Sequence, residues 1–414
     1  MNKLALLFPG QGSQYVGMGK RSYESSEAAK EAFEEANDTL GMDIRRLCFE
    51  GSLEALKQTE NTQPAILTAC YADYLYYRQQ GGIEPHYSAG HSLGEITALT
   101  CAGAISFRDA LQIVRIRGEL MAEAGREVPT LMSAVRGMKP EEVEDLCASV
   151  STPREWVVVS NYNSPGQLVV AGHRNSVISV EEAAKQKNAD VIRLEVSTAF
   201  HTPLMREAGE RLFQVLKGFR YEEPAWPVLS NVTVRPYESK SKIPQLLTAQ
   251  MTSPVRWTEN MDYLQQQGVV MAVEIGPKAV LRNLVRPFYP EIHAFSFNKE
   301  EDQASIFRQL QLLPTVVTKC LAAAVSTKNQ NWAQEEYQQG VIEPYEKIRK
   351  LHNKLKQSGK QPDVEQMRDS LDMLIRVFTT KKVPLEEQKR RIAIILKSTG
   401  TGGMFKDYLD PFHI

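Results

Sequence analysis

The sequence predicts an α/β protein: a parallel sheet covered by helices, interrupted by a smaller β-rich unit and followed by a mostly helical extension. Three observations carry this. Short apolar runs end in glycine turns that open helical stretches, as at residues 4–8 before Pro9-Gly10 and at Tyr87-Ser88-Ala89 before Gly90; that alternation builds parallel sheets. Residues 130–196 read strand, helix, strand, strand, helix, strand. From about residue 300 onward, amphipathic helical stripes replace the strand-like runs.

Each element has a local cause. Residues 4–8 are a buried strand stopped by Pro9-Gly10. Residues 26–40, rich in Glu, Ala and Lys, and 64–77, with Ile66, Ala69, Cys70, Asp73 and Tyr74 at helical spacing, predict helices. The turn at Gly90 opens another over 93–102. In the middle segment, 130–135 reads as a strand and 140–150 as a helix with Pro140 at its first position. Strands at 156–160 and 167–171 flank the turn Asn163-Ser164-Pro165-Gly166, a helix covers 176–187, and a last strand covers 191–196. The order β-α-β-β-α-β is the ferredoxin-like pattern. The α/β texture then resumes over 199–298, with a buried strand at 271–275 ending in Gly276-Pro277. In the tail, Pro362-Asp363 starts a helix with Val364, Met367, Leu371, Leu374, Ile375 and Phe378 on one face. Val341, Tyr345, Ile348 and Leu355 form a second stripe, ended by Gly359, and both stripes read as local core.

Composition bounds the function. At 414 residues, against the usual ~100–200 per domain, two or three domains are expected. Hydrophobic residues at 42% and charged residues at 24% exclude disordered, collagen-like and coiled-coil classes. A net charge of −1 gives no global field for nucleic acid or a membrane. The charge is uneven, however: from Glu301 on, 18 Lys and Arg face 14 Asp and Glu, while the first 300 residues hold 31 against 36. Five cysteines without CxxC spacing suggest neither a disulfide framework nor a zinc site, and fit a reducing cytosol. The apolar start is too short for a signal peptide, and no run approaches the ~20 apolar residues of a membrane span. A soluble, cytoplasmic protein is expected.

Gly90-His91-Ser92-Leu93-Gly94 matches G-x-S-x-G. Such a serine sits on a tight strand-to-helix turn that only glycine flanks permit, with unpaired helix N–H groups beneath it. The alternative is a glycine-lined packing turn. The loop Pro9-Gly10-Gln11-Gly12-Ser13-Gln14 fails the dinucleotide pattern because Tyr15 stands where glycine is needed. It reads better as one backbone donor to an oxyanion, beside the N–H of Leu93. Among His86, His91, His173, His201, His293, His352 and His413, the candidate base is His201. It lies where the inserted unit rejoins the main domain; His91 is expected to point away, and His86 to lie too close in sequence.

Further segments extend the pattern: Phe8 through Gln14, Thr62-Gln63-Pro64-Ala65, Gly90 through Glu95, Arg117-Gly118 with Met121, Asn163-Ser164-Pro165-Gly166-Gln167, Ala199-Phe200-His201-Thr202-Pro203-Leu204-Met205, Gln250 with Ser253-Pro254-Val255-Arg256-Trp257, and Glu274-Ile275-Gly276-Pro277. Over residues 1–300 the chain thus resembles the malonyl-CoA:acyl-carrier-protein transacylase family, and its long tail makes it similar to the trans-acting acyltransferases of bacterial polyketide and lipopeptide synthases. The resemblance implies an α/β-hydrolase-like core over 1–128 and 198–300, a ferredoxin-like subdomain over 129–197, and a helical extension over 301–414. It implies Ser92 as nucleophile, His201 as base, the N–H groups of Gln11 and Leu93 as oxyanion hole, and the Gln250 carbonyl as orienter of the imidazole. Arg117 would bind the malonyl carboxylate, since guanidinium pairs bidentately with a carboxylate. Met121, Phe200 and Gln63 would face the substrate, the Phe200 ring favouring malonyl over methylmalonyl. Thr202 departs from the usual serine but keeps a hydroxyl.

The implied reaction moves malonyl from malonyl-CoA to the phosphopantetheine thiol of an acyl carrier protein, with no permanently bound cofactor and no metal. A monomer is expected. Two rivals keep the same fold: an acyl hydrolase that clears carrier proteins, for which Arg117 has no use, and a non-catalytic docking protein, which needs none of Ser92, His201, Arg117 or Gln11.

Overall fold

The computed structural model describes residues 3–125, 128–196, 198–310, 315–358, 361–402 and 404–408. Those within Asn2–Gln80 and Tyr87–Gln303 form one compact unit, and those within Gly81–His86 and Ala304–Ile414 another.

The first unit contains nine strands: β1 (Lys3–Phe8), β2 (Tyr87–Gly90), β3 (Thr130–Arg136), β4 (Val157–Ser164), β5 (Gln167–His173), β6 (Asp190–Arg193), β7 (Val228–Leu229), β8 (Val269–Glu274) and β9 (His293–Ser296). Five make a parallel sheet in the order β7-β2-β1-β8-β9. β1 is central, and all five residues from Leu4 to Phe8 are fully buried, which is why its sequence is continuously apolar rather than alternating. Both β1 and β2 end in glycine loops at the same edge, since Phe8 pairs with Gly90.

The other four strands form an antiparallel sheet in the order β4-β5-β3-β6. Helices Pro140–Val150 and Arg174–Gln186 connect them and share a core with Val135, Val157, Leu168 and Val170. Two boundaries differ from the sequence reading. β4 runs through Ser164, which pairs with Gln167, so Asn163 and Ser164 belong to the ladder and only Pro165-Gly166 turns. β6 ends at Arg193, and residues 194–196 line the cavity described below; a strand-like alternation such as Val191 to Val196 does not reveal where its pairing partner stops.

In the second unit, helices Val316–Ser326, Glu343–Ser358, Val364–Thr380 and Leu385–Thr399 enclose Val317, Cys320, Leu371, Leu374, Phe378 and Leu396. Asp363 caps its helix reciprocally with Gln366. Val341 lies in a π-helical turn, Gln338–Ile342, that leads into Glu343–Ser358. Gly359 and His413 lie outside the described residues. His86 belongs to this unit, its Nε2 lying 2.9 Å from the Ser398 carbonyl. All five cysteines are free and buried. Among the described residues, no helix is long and apolar enough to cross a membrane, and no His, Cys, Asp and Glu group could hold a metal.

The turn at Ser92 is packed backbone against backbone. A Cβ on Gly94 would lie 2.0 Å from the Phe8 carbonyl oxygen, and one on Gly90 would lie 1.8 Å from the Gly94 carbonyl. Neither obstacle is a flexible side chain. Gly94→Ala is therefore expected to destabilise the first unit by about 1–3 kcal/mol or more. Urea unfolding checks this; an unchanged midpoint would show that β1 and the following helix are not held this closely.

Candidate active site

Ser92 occupies the point where β2 hands over to helix Leu93–Cys101, with φ 53° and ψ −107°. A non-glycine residue holds such a conformation only where its surroundings over-determine it. Asn231 does this: its Oδ1 accepts from the Ser92 N–H at 2.8 Å, and its Nδ2 donates to the Gly90 carbonyl at 2.8 Å. The hydroxyl is thereby fixed 2.7 Å from His201 Nε2.

His201 also has a positive φ, 58°. Its Nδ1 lies 2.8 Å from the Gln250 carbonyl oxygen. A carbonyl can only accept, so Nδ1 carries the proton and Nε2 presents its lone pair to the serine O–H. Burial, and then the nearby Arg117 charge, push the imidazole pKa down to about 3.

Arg117, on helix Phe107–Ala124, is almost completely buried. The helix lies close to helix Thr59–Gln79 because Gly118 has no side chain; a Cβ there would sit 2.8 Å from Glu60 Cα. Nη1 donates to Gln63 Oε1 at 2.9 Å, and Nη2 to Gln250 Oε1 at 2.9 Å and Ser92 Oγ at 3.2 Å. Nε has no partner. Burial lowers the Arg117 pKa to about 10, which still leaves it cationic at neutral pH. Among the described residues no carboxylate forms an ion pair with it, so the cation is held by neutral oxygens alone. Such a site is costly unless an anion arrives.

Gln250 joins these parts. Its Nε2 donates to Glu95 Oε2 at 2.7 Å and to the Ser92 carbonyl at 3.1 Å. Glu95, fully buried, also accepts from the Asn231 N–H at 2.9 Å and the Tyr237 hydroxyl at 2.5 Å. Burial raises its pKa, against those hydrogen bonds.

A cavity of about 800 Å³ opens beside the serine, lined by Gln11, Ser92, Leu93, Arg117, Met121, Phe200 and His201, with Met132, Asn161 and Val169 of the antiparallel sheet on one wall. Seven of the nine expected site residues line this cavity, and Gln250 stands behind it with its carbonyl on His201. Gln63 is the correction: it does not line the wall but lies fully buried behind Arg117, with its Oε1 taken by the guanidinium and its Nε2 3.3 Å from Met121 Sδ. His91 is a second correction. It lines the cavity instead of pointing away, because Asn163 Oδ1 of β4 holds its Nε2 at 2.8 Å.

Sequence reasoning missed Asn231 altogether, and missed the Gln250 and Glu95 side chains as functional supports. Glu95 and Asn163 stand inside motifs that drew attention for other reasons. Asn231 has no such signal, being 139 residues from its serine.

A serine hydroxyl 2.7 Å from a buried imidazole, and a buried guanidinium without a carboxylate partner among the described residues, meet at one cavity. The chain belongs to the acyl transferase domain family, whose model matches residues 5–306. It is 36% identical over 397 residues to a malonyl CoA-acyl carrier protein transacylase of Bacillus subtilis, covering 94% of this chain and 99% of that one. To the transacylase of that name from Escherichia coli strain K12 it is 39% identical over 308 residues, 74% of this chain and 99% of that one. Among solved structures, a malonyl-transacylase in complex with its type II PKS acyl-carrier protein matches with a TM-score of 0.71 at 37% identity, over 73% of this chain and 98% of that one. FabD from Acinetobacter baumannii matches with a TM-score of 0.70 at 41% identity, over 74% and 97%.

The depressed His201 pKa has a definite sign. The folded protein refuses a proton that the unfolded chain takes up below the ordinary imidazole value of 6.5, so this contribution to stability is present above that pH and is lost as pH falls toward about 3. For the same reason, acylation of Ser92 by a neutral activated ester should hold its rate from neutral pH to about pH 5. Arg117→Met, which removes one cause of the shift, should move the acid limb upward. A native limb near 6.5 in the pH profile of kcat/KM would contradict the geometry.

Proposed function

We propose that this protein transfers malonyl groups from malonyl-CoA to the phosphopantetheine thiol of an acyl carrier protein. The observation that carries the reading is Arg117: a buried cation, without a carboxylate partner among the described residues, 3.2 Å from the Ser92 hydroxyl. A malonyl thioester brings a free carboxylate to that point, and a neutral acyl group does not.

Ser92 Oγ attacks the thioester carbonyl while His201 Nε2 takes its proton. The N–H groups of Gln11 and Leu93 receive the oxyanion, the Gln250 carbonyl steadies the imidazolium, and His201 returns the proton to the leaving CoA thiolate. The carrier thiol then attacks the malonyl-serine ester, giving up its proton to His201, and Ser92 leaves with that proton restored. Arg117 holds the carboxylate in both half-reactions, while Met121 and Phe200 shape the acyl pocket. Gln63 serves by holding Arg117. No resident cofactor enters this scheme.

We take the parallel sheet and its helices, over 1–128 and 198–300, as an α/β-hydrolase-like core, and 129–197 as a ferredoxin-like subdomain whose sheet walls the acyl cavity. The strand orders support both readings. Residues 301–414 are then an extension not needed for the chemistry, since every proposed catalytic atom lies between Gln11 and Gln250. The site is complete within one copy, which suits a monomer, and the free buried cysteines suit the cytoplasm. A role in trans, serving a polyketide or lipopeptide synthase, is supported by the likeness to a transacylase bound to a type II PKS carrier protein.

Incubation with malonyl-CoA followed by intact-protein mass spectrometry should show one malonyl adduct, absent in Ser92→Ala. Arg117→Ala should lose malonyl transfer by roughly 30-fold to a few thousand-fold, the range for leaving one partner of a buried charge pair alone, about 2–5 kcal/mol, while acetyl transfer falls far less. Equal losses for both acyl groups would remove Arg117 from substrate selection.

A further inference from the structure

We propose that Lys278 forms a phosphate-binding subsite at the exposed rim of the catalytic cavity, taking a phosphate ester of the substrate through its ammonium group. The inference rests on the malonyl-transfer reading above and adds to it where the substrate's anionic end is held.

Three independent observations meet at this residue. The first is backbone geometry. Lys278 follows Gly276-Pro277 at the end of β8 and has φ 64°, a left-handed conformation that glycine would hold without strain. The conformation is firm, because the Ser296 hydroxyl donates to the Lys278 carbonyl at 2.7 Å. A strained lysine in a glycine-type position puts its side chain in a defined direction at a cost in stability.

The second is where that side chain goes. Nζ donates to the Gly12 carbonyl oxygen at 3.1 Å, on the residue that follows Gln11, and Lys278 lines the cavity with Ser92. One of the three ammonium hydrogens is thereby used, which anchors the group and leaves two for a ligand.

The third is charge. The other exposed cations of this wall are each matched: Lys57 by Glu195, Arg136 by Asp190 and Arg193 by Glu181. Lys278 has no carboxylate within 4.0 Å among the described residues, and partial burial lowers its pKa with nothing opposing. A positioned lysine with spare donors and no counter-ion suits a phosphate oxygen. The donor's CoA and the carrier's phosphopantetheine both bring phosphate esters to a cavity whose depth takes the acyl group, so the two half-reactions are separate arms of the test.

The variants are Lys278→Gly, which removes the charge and the backbone strain together, and Lys278→Arg, which keeps the charge. Lys278→Gly should melt at the same temperature as the parent or higher, which separates function from folding. In the donor arm, malonyl-CoA is compared with malonyl-pantetheine, which lacks phosphate. Lys278→Gly should lose kcat/KM about tenfold more with malonyl-CoA, mainly through KM, as expected for one charged hydrogen bond. The loss should shrink with added salt, and Lys278→Arg should recover most of it. In the acceptor arm, malonyl-pantetheine is the donor and holo-carrier protein is compared with free pantetheine. A selective loss there assigns the subsite to the carrier's phosphate, and in both arms to either substrate in turn. Equal losses with and without phosphate overturn the proposal, leaving Lys278 as a brace for the Gly12 loop. Failure of any malonyl thioester to label Ser92 in the unsubstituted protein overturns the functional reading instead.

Discussion

A guanidinium without a counter-ion among the described residues, buried 3.2 Å from a serine hydroxyl, is the constraint to which the rest of the site answers. Left unsolvated, such a group would be too costly to keep. The structure meets the demand with neutral oxygens, from Gln63 and Gln250, rather than with a carboxylate that would cancel the charge. Glu95 is close enough to favour the cation electrostatically yet is itself engaged by Gln250, Tyr237 and Asn231. The positive charge thus remains available to an anionic acyl group, and it adds to the burial that keeps the neighbouring His201 neutral, which is the state a base requires.

That arrangement needs several distant segments at one point, and the parallel sheet brings them there. β1 and β2 are adjacent and end together, so the Gln11 loop and the Ser92 turn face the same cavity. The close approaches at Gly94 and Gly118 then fix, respectively, the serine turn against β1 and the arginine helix against its neighbour. The inserted antiparallel sheet supplies an opposite wall and the Asn163 that captures His91. Gln250 contributes three groups to the site, its carbonyl to His201 and both ends of its amide to Arg117 and Glu95, so one residue couples the base, the anion site and the buried acid.

Much of this was legible in the sequence because it is local. The serine turn is encoded by glycines at fixed offsets, β1 by its unbroken apolar run, the inserted unit by its order of strands and helices, and the helix at Val364–Thr380 by Asp363 and a helical stripe. Other features were not local. β6 stops at Arg193 where its pairing with β3 stops, although the strand-like alternation continues to Val196. Gln63 turned away from the cavity because a guanidinium claimed its oxygen, and His91 turned toward it because an asparagine from another sheet claimed its ring.

By itself, then, the sequence determined the chemistry on offer: a nucleophile on a strained turn, a histidine, an arginine and the elements that carry them. Motif and periodicity act over a few residues, and they are enough to specify these parts. Only the tertiary structure decided their coupling: which nitrogen of His201 holds the proton, that Arg117 has no carboxylate partner among the described residues, and that Asn231, 139 residues away from Ser92, secures the serine backbone. Those outcomes depend on hydrogen bonds between segments remote in sequence. Burial then sets their electrostatic weight, because charges removed from water interact more strongly and shift one another's protonation.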